Sequence, residues 1–291
     1  MIRISDGDLA AIIDTSFGNN ARSLTFRGAE FLWTPADWKA PALAGIPLLA
    51  PWANRIDSES YLANGRRYLL NPALGNLRYD ANHLPIHGLV AFTDRWTVMG
   101  QDAASVTSRL EFWRVPEWMA QFPFAHAIEV THRLREGSLQ IETSIENLSA
   151  EAMPLCVGYH PYFQLPGSKR DDWRVHVAAC EQVTLSDLLM PTGERQPSTL
   201  PDRVPLAGQA LDAVFTALSG DDFVLEDGAR QLAVKYGAKY TVAIVYAPAG
   251  REFVCFEPMT ALTNAFNREN SGLQHVAPGE TWSESFWIRP S

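Results

Sequence analysis

The feature that most constrains this chain is a hydrophobic period of two. In Ser138–Asn147 the apolar Leu139, Ile141 and Ile145 alternate with Gln140, Glu142, Ser144 and Glu146, as a half-buried strand requires. Residues 230–236 repeat the pattern with Leu232, Val234 and Tyr236, and near the end Trp282, Phe286 and Ile288 alternate with Ser283, Ser285 and Arg289. Residues 240–246 are apolar on both faces and read as a central strand covered from two sides. Asn64-Gly65, between two short strand-like runs, reads as a tight hairpin turn. Leu211–Leu218 has the length and composition for two helical turns, but no 3.6-residue period lasts for a dozen residues anywhere. Strands that do not alternate with helices argue against a parallel α/β sheet. The expectation is an all-β fold: one large antiparallel domain over residues 1–291 with few short helices. Periodicity alone leaves a barrel and stacked sheets both open.

Composition narrows the function. Hydrophobic residues make up 46% of the 291 and charged residues 20%, enough apolar surface for a core and far from a disordered chain. No run of about 18 apolar residues could cross a membrane as a helix. The first residues carry Arg3, Asp6 and Asp8 and no apolar stretch, so no secretory leader is expected. The net charge of −9 disfavours nucleic acid and anionic membrane surfaces, which call for clustered cations. Three scattered cysteines, Cys156, Cys180 and Cys255, are odd in number and lack CxxC spacing. That fits a reducing compartment, with a cytoplasmic location expected, and neither a disulfide frame nor a zinc knuckle.

Four segments place polar residues where a strand-rich core has no obvious use for them. Residues 45–56 form an apolar, Pro-rich approach that delivers Asn54 and Arg55 between Trp52 and Ile56. An Arg in such company is usually held by a partner or a ligand. Residues 83–88 hold His83 and His87 at a spacing that could bind a metal on a helix, but Pro85 and Gly88 make a helix there improbable. Residues 158–163 set His160 among aromatics, extended because Pro161 follows it. Residues 251–258 put Phe253, Cys255 and Glu257 on one face of an extended chain, with Pro258 expected to end the strand. A buried carboxylate is costly unless it has a partner or a task. The Thr- and Asn-rich stretch 259–267 reads as a loop over that site.

In this order the segments resemble the aldose 1-epimerase, or mutarotase, family. The likeness rests on Asn54-Arg55-Ile56, His87-Gly88, His160-Pro161-Tyr162-Phe163 and Cys255-Phe256-Glu257-Pro258. Leu211-Asp212-Ala213-Val214-Phe215 and Pro278-Gly279-Glu280 add to it. Leu89 departs from it, standing where many of that family have a second glycine. The resemblance implies a many-stranded β-sandwich, a free sugar as the partner, and a reaction without metal or other cofactor. It implies Glu257 as general base and His160 as general acid. His87, Arg55 and Asp212 would hold the sugar's oxygens, and Asn54 would support them. Acid and base are expected on opposite sides of the hemiacetal, across a pocket one monosaccharide wide. Trp33, Trp38 and Trp52 are the candidates for an aromatic wall. Two other readings remain: a hexose-6-phosphate 1-epimerase on the same scaffold, and a carbohydrate-binding sandwich without catalysis. A metal enzyme is a distant third.

Overall fold

The computed structural model describes residues 1–35, 37–39 and 42–291. Two large antiparallel sheets dominate. One has nine strands and is built around the long hairpin of His126–Arg135 and Ser138–Asn147, with Thr281–Pro290 beside it. The other has seven, among them Leu211–Leu218, Val242–Ala247, Cys255–Met259 and the short Gly158–Tyr159. An N-terminal four-stranded sheet closes one side of the core, contributing Ile4, Leu9, Ala11, Ile13 and Leu24. Among the described residues the one α-helix is Pro116–Gln121. Among these residues no helix is long and apolar enough to cross a membrane.

The two large sheets face each other, which answers the question periodicity left open in favour of stacked sheets. Phe256 packs against Phe223, and Tyr159 packs against Phe286 while its hydroxyl meets that of Thr143 at 2.6 Å. Every second residue of the seven-stranded sheet points into this core: Ala213 and Phe215, Ala243 and Val245, Val254 and Phe256. The intervening residues, Asp212, Val214, Ile244, Tyr246, Cys255 and Glu257, must therefore point to the other face, because successive side chains of a strand alternate. Cross-strand register puts Asp212 opposite Tyr246 and Tyr246 opposite Cys255; Val214, Ile244 and Glu257 form the next row.

The strands expected from the pattern are present. Ser138–Asn147 has strictly alternating burial, and the Asn64-Gly65 turn joins Ser60–Ala63 to Arg66–Leu69. Three expectations need correction. Leu211–Leu218 is a strand, paired on both edges. Its larger apolar residues fall at 211, 214, 215 and 218, a helical spacing, because Phe215 is buried on the inner face and Val214 on the outer one. Pro258 does not end its strand, which continues to Met259 and pairs Pro258 with Ala243. The 259–267 stretch does not lie over the site. It is largely buried and braces the Arg55 segment: the Asn264 N–H donates to the Arg55 carbonyl, and Asn264 Oδ1 accepts from the Asp57 N–H.

Candidate active site

On the outer face of the seven-stranded sheet lies a cavity of about 460 Å³. All six candidate residues line it: Asn54, Arg55, His87, His160, Asp212 and Glu257. They come from five separate stretches of chain, and the strand register explains how they meet. Asp212 and Glu257 project from the same sheet face in adjacent rows. His160 follows the short strand Gly158–Tyr159, whose Gly158 pairs with Met259 on the Glu257 strand. A Cβ at Gly158 would lie 2.2 Å from Met259 Sδ and 2.7 Å from the Pro258 carbonyl, so glycine is what lets this strand close on its neighbour.

His160 and Glu257 form the centre. Nε2 of one lies 3.3 Å from Oε1 of the other, and both side chains are buried. The imidazole stacks on Tyr162 with ring centroids 4.7 Å apart and planes 11° from parallel, and the His160 N–H donates to the Pro47 carbonyl. Burial pushes the Glu257 carboxyl well above its usual range; Asp212 adds to the push and Arg55 opposes it. Burial likewise lowers His160 to about 3, helped by the cations Arg78 and Arg55. Two groups displaced in these directions, in contact, hold one proton between them over a wide pH range. The sequence-based expectation of an acid and a base facing each other across a sugar is thus corrected to a dyad in contact. The chemistry has no objection. The anomeric hydroxyl and the ring oxygen are bonded to the same carbon, so groups addressing them must be neighbours.

Arg55 is held, as its apolar surroundings suggested. Its Nε donates to Asp80 Oδ2 at 2.6 Å and its Nη1 to Asn54 Oδ1 at 3.0 Å. Burial alone would raise Asp80, but the Leu84 N–H, Arg55 and the Asn82 N–H all donate to it and leave it below its usual range. Asn54 and His87 both have left-handed backbones, with φ of 59° and 63°, uncommon for residues with side chains. They grip each other: the His87 N–H donates to the Asn54 carbonyl, and the Asn54 N–H donates to His87 Nδ1. Since Nδ1 accepts, the proton of the neutral ring belongs on Nε2. Burial, His160, Arg78 and Arg55 all hold His87 well below its usual range. Gly88 permits this turn: it has φ of 61°, and a Cβ there would lie 2.1 Å from the Ala50 carbonyl oxygen. Asp212 stands exposed at the rim, its carboxyl raised by desolvation and lowered in part by Arg55.

The tryptophans do not form the wall. Trp52 is buried in the main core, Trp33 packs on Phe253 and Tyr162, and Trp38 meets Phe17 edge-on beneath the Arg22 guanidinium. Among the described residues the aromatic lining is Tyr79, Tyr162 and Tyr246. Tyr162 and Tyr246 lay inside segments the sequence had singled out, and the strand register places Tyr246 opposite Asp212. Arg78 and Asp80, on the cavity wall, had no such signal beyond their proximity to His83 and His87. The metal spacing of that pair comes to nothing, since His83 is exposed and His87 buried.

The chain belongs to the aldose 1-epimerase family, whose profile matches residues 1–289. It is 26% identical over 274 residues to the uncharacterized protein YihR of Escherichia coli, covering 91% of this chain and 85% of that one. A galactose mutarotase-like protein from Clostridium acetobutylicum has a closely similar structure, with a TM-score of 0.89 at 24% identity over 99% of this chain and 94% of that one. A galactose 1-epimerase from Lactobacillus acidophilus shares the fold with a TM-score of 0.75 at 15% identity, covering 99% and 92% of the two chains.

Proposed function

We propose that this protein interconverts the α and β anomers of an aldose by opening and reclosing its ring. The observation that carries the reading is the buried contact between Glu257 and His160 on the floor of a sugar-sized cavity. Burial favours the neutral form of the pair, with the shared proton on Glu257, so that proton first crosses the 3.3 Å contact to His160. Glu257, then a carboxylate, takes the proton of the anomeric hydroxyl. His160, as imidazolium, gives its Nε2 proton to the ring oxygen. The bond between the anomeric carbon and the ring oxygen breaks and a carbonyl forms at that carbon. Rotation about the adjacent carbon–carbon bond presents the other carbonyl face. The steps then run backwards: the ring hydroxyl returns its proton to His160, and Glu257 returns its own to the new anomeric oxygen. One proton leaves the sugar and one arrives, so the dyad's total does not change. His87 Nε2–H, the Arg55 guanidinium and the Asp212 carboxylate supply donors and acceptors for the remaining oxygens, with Asn54 holding Arg55 in place. Tyr246 offers an apolar face to the ring.

The test is polarimetry on freshly dissolved pure anomers across a panel of aldoses. The expected result is acceleration well above the buffer rate for at least one sugar. Buffer-rate traces across the panel would count against the reading and favour a binding sandwich.

One observation supports a variant of this reading. Arg78 also lines the cavity, its guanidinium 5.0 Å from the centre of the Phe92 ring. Two guanidiniums on the wall suit a sugar carrying phosphate or another acidic group. Comparing glucose with glucose 6-phosphate, parent against Arg78→Ala, separates the two. A preference for the phosphate that disappears in the variant favours the acidic sugar.

A further inference from the structure

Buried beside the dyad lies a third reactive group. Cys255 precedes Glu257 by two residues on the same strand, so both side chains share one face. The thiol is buried, free of any disulfide, and packed with Tyr162, Phe253 and Tyr246. Donor atoms of His160, Cys255 and Glu257 all lie within 4.8 Å of one another.

These distances suit a tetrahedral cation. Zinc bonds nitrogen and oxygen at about 2.0–2.2 Å, which sets neighbouring corners of its tetrahedron roughly 3.3–3.5 Å apart. His160 Nε2 and Glu257 Oε1 are 3.3 Å apart, so two corners stand at that separation before any metal arrives. The donor set of one imidazole, one thiolate and one carboxylate is one that zinc accepts, with a fourth corner left for water. Magnesium and calcium, which take all-oxygen shells, are poorly served here. The frame is stiff: Cys255 and Glu257 sit in a central strand, and His160 is clamped by Pro47 and Tyr162. Burial and the nearby carboxylates hold the thiol protonated, but a bound dication displaces such a proton.

We propose that His160, Cys255 and Glu257 form a binding site for a thiophilic divalent cation, zinc above all, and that its occupation shuts down the dyad. Binding forms Zn–N, Zn–S and Zn–O bonds and releases two protons, one from the thiol and one shared by the dyad. The consequence for turnover rests on the function proposed above; the binding does not.

The experiment uses the full chain, reduced, freed of metal with a chelator, and carrying Cys180→Ser to remove the exposed thiol. Calorimetry with zinc chloride is expected to give one site of micromolar affinity or tighter, with no response to magnesium. Cadmium should produce the ultraviolet charge-transfer band of a metal thiolate. Cys255→Ala and Cys255→Ser, each checked for folding by its thermal melt, should bind at least tenfold more weakly and lose the band. Zinc should stop anomer exchange in the parent, with recovery on adding chelator. Absence of binding and of the band in the Cys180→Ser protein overturns the proposal, whether or not the Cys255 variants fold. Equal affinity in the Cys255 variants also overturns it. A metal-free protein that binds zinc but never exchanges anomers would instead refute the proposed function.

Discussion

At the scale of single residues, the chemistry turns on where one proton resides. Glu257 is displaced upward and His160 downward, each chiefly by burial. The pair therefore gains its second proton only at low pH and loses its last only at high pH. Activity that needs one shared proton should stay level across neutral pH, and the acid limb of kcat/KM should fall well below 6.5, the ordinary histidine value. A limb at that value would mean that His160 titrates as a solvated group. Removing either partner leaves one half of a concerted transfer undone. Positioned acid–base groups contribute roughly 10²–10⁴ in rate, so Glu257→Gln and His160→Asn should each lower kcat by about that factor. Arg55→Ala and Asp212→Ala should act mainly on KM. Steady-state kinetics on the four variants checks this division, and equal, mild losses in all of them would contradict it.

At the scale of elements, the site depends on two tight backbone approaches. The His87–Gly88 turn lies against Ala50, and Gly158 lies against the Glu257 strand. Gly88→Ala would put a methyl group inside the Ala50 carbonyl contact at a positive φ. The expected cost is on the order of 1–3 kcal/mol, with a raised KM because His87 moves with the turn; urea unfolding and kinetics would measure both. Such approaches are only partly legible in a sequence. Alternation in Ser138–Asn147 was legible because one face of that strand is polar. Leu211–Leu218 was not, since a strand covered on both faces carries no period-two signal. Arg55 announced that something must hold it, yet Asp80 could not be named, because that pairing is made by folding rather than by spacing. Glu257 and His160 were legible as costly groups needing a purpose. Their contact was not, because neither residue's neighbours in sequence record the register that joins their strands.

At the scale of the whole molecule, buried histidines set the response to acid. His87, His126, His132 and His160 are all held below 6.5, chiefly by desolvation, with His126 and His132 lowered to about 4. Unfolded, each binds a proton near 6.5; folded, each refuses it. As pH falls through that window the unfolded chain takes up protons that the native one does not, and stability declines. Glu257 acts in the opposite sense. Its folded value is raised, so it favours the native state at acid pH and gives up that contribution as pH climbs past 4.5, the usual value for Glu. Four histidines outweigh one glutamate, and the urea midpoint should fall steadily from about pH 6.5 downwards. A midpoint that holds until the carboxylates titrate would show these histidines to be accessible in the native state.

All three scales meet in the claim that Glu257 and His160 pass one proton to and from a sugar's geminal oxygens. Exchange NMR on an equilibrated aldose, reading α-to-β transfer directly, tests it most squarely. The parent should bring exchange onto the NMR timescale for at least one aldose, and Glu257→Gln, folded and sugar-bound, should return that sugar to the buffer rate. Undiminished exchange in Glu257→Gln would contradict the account.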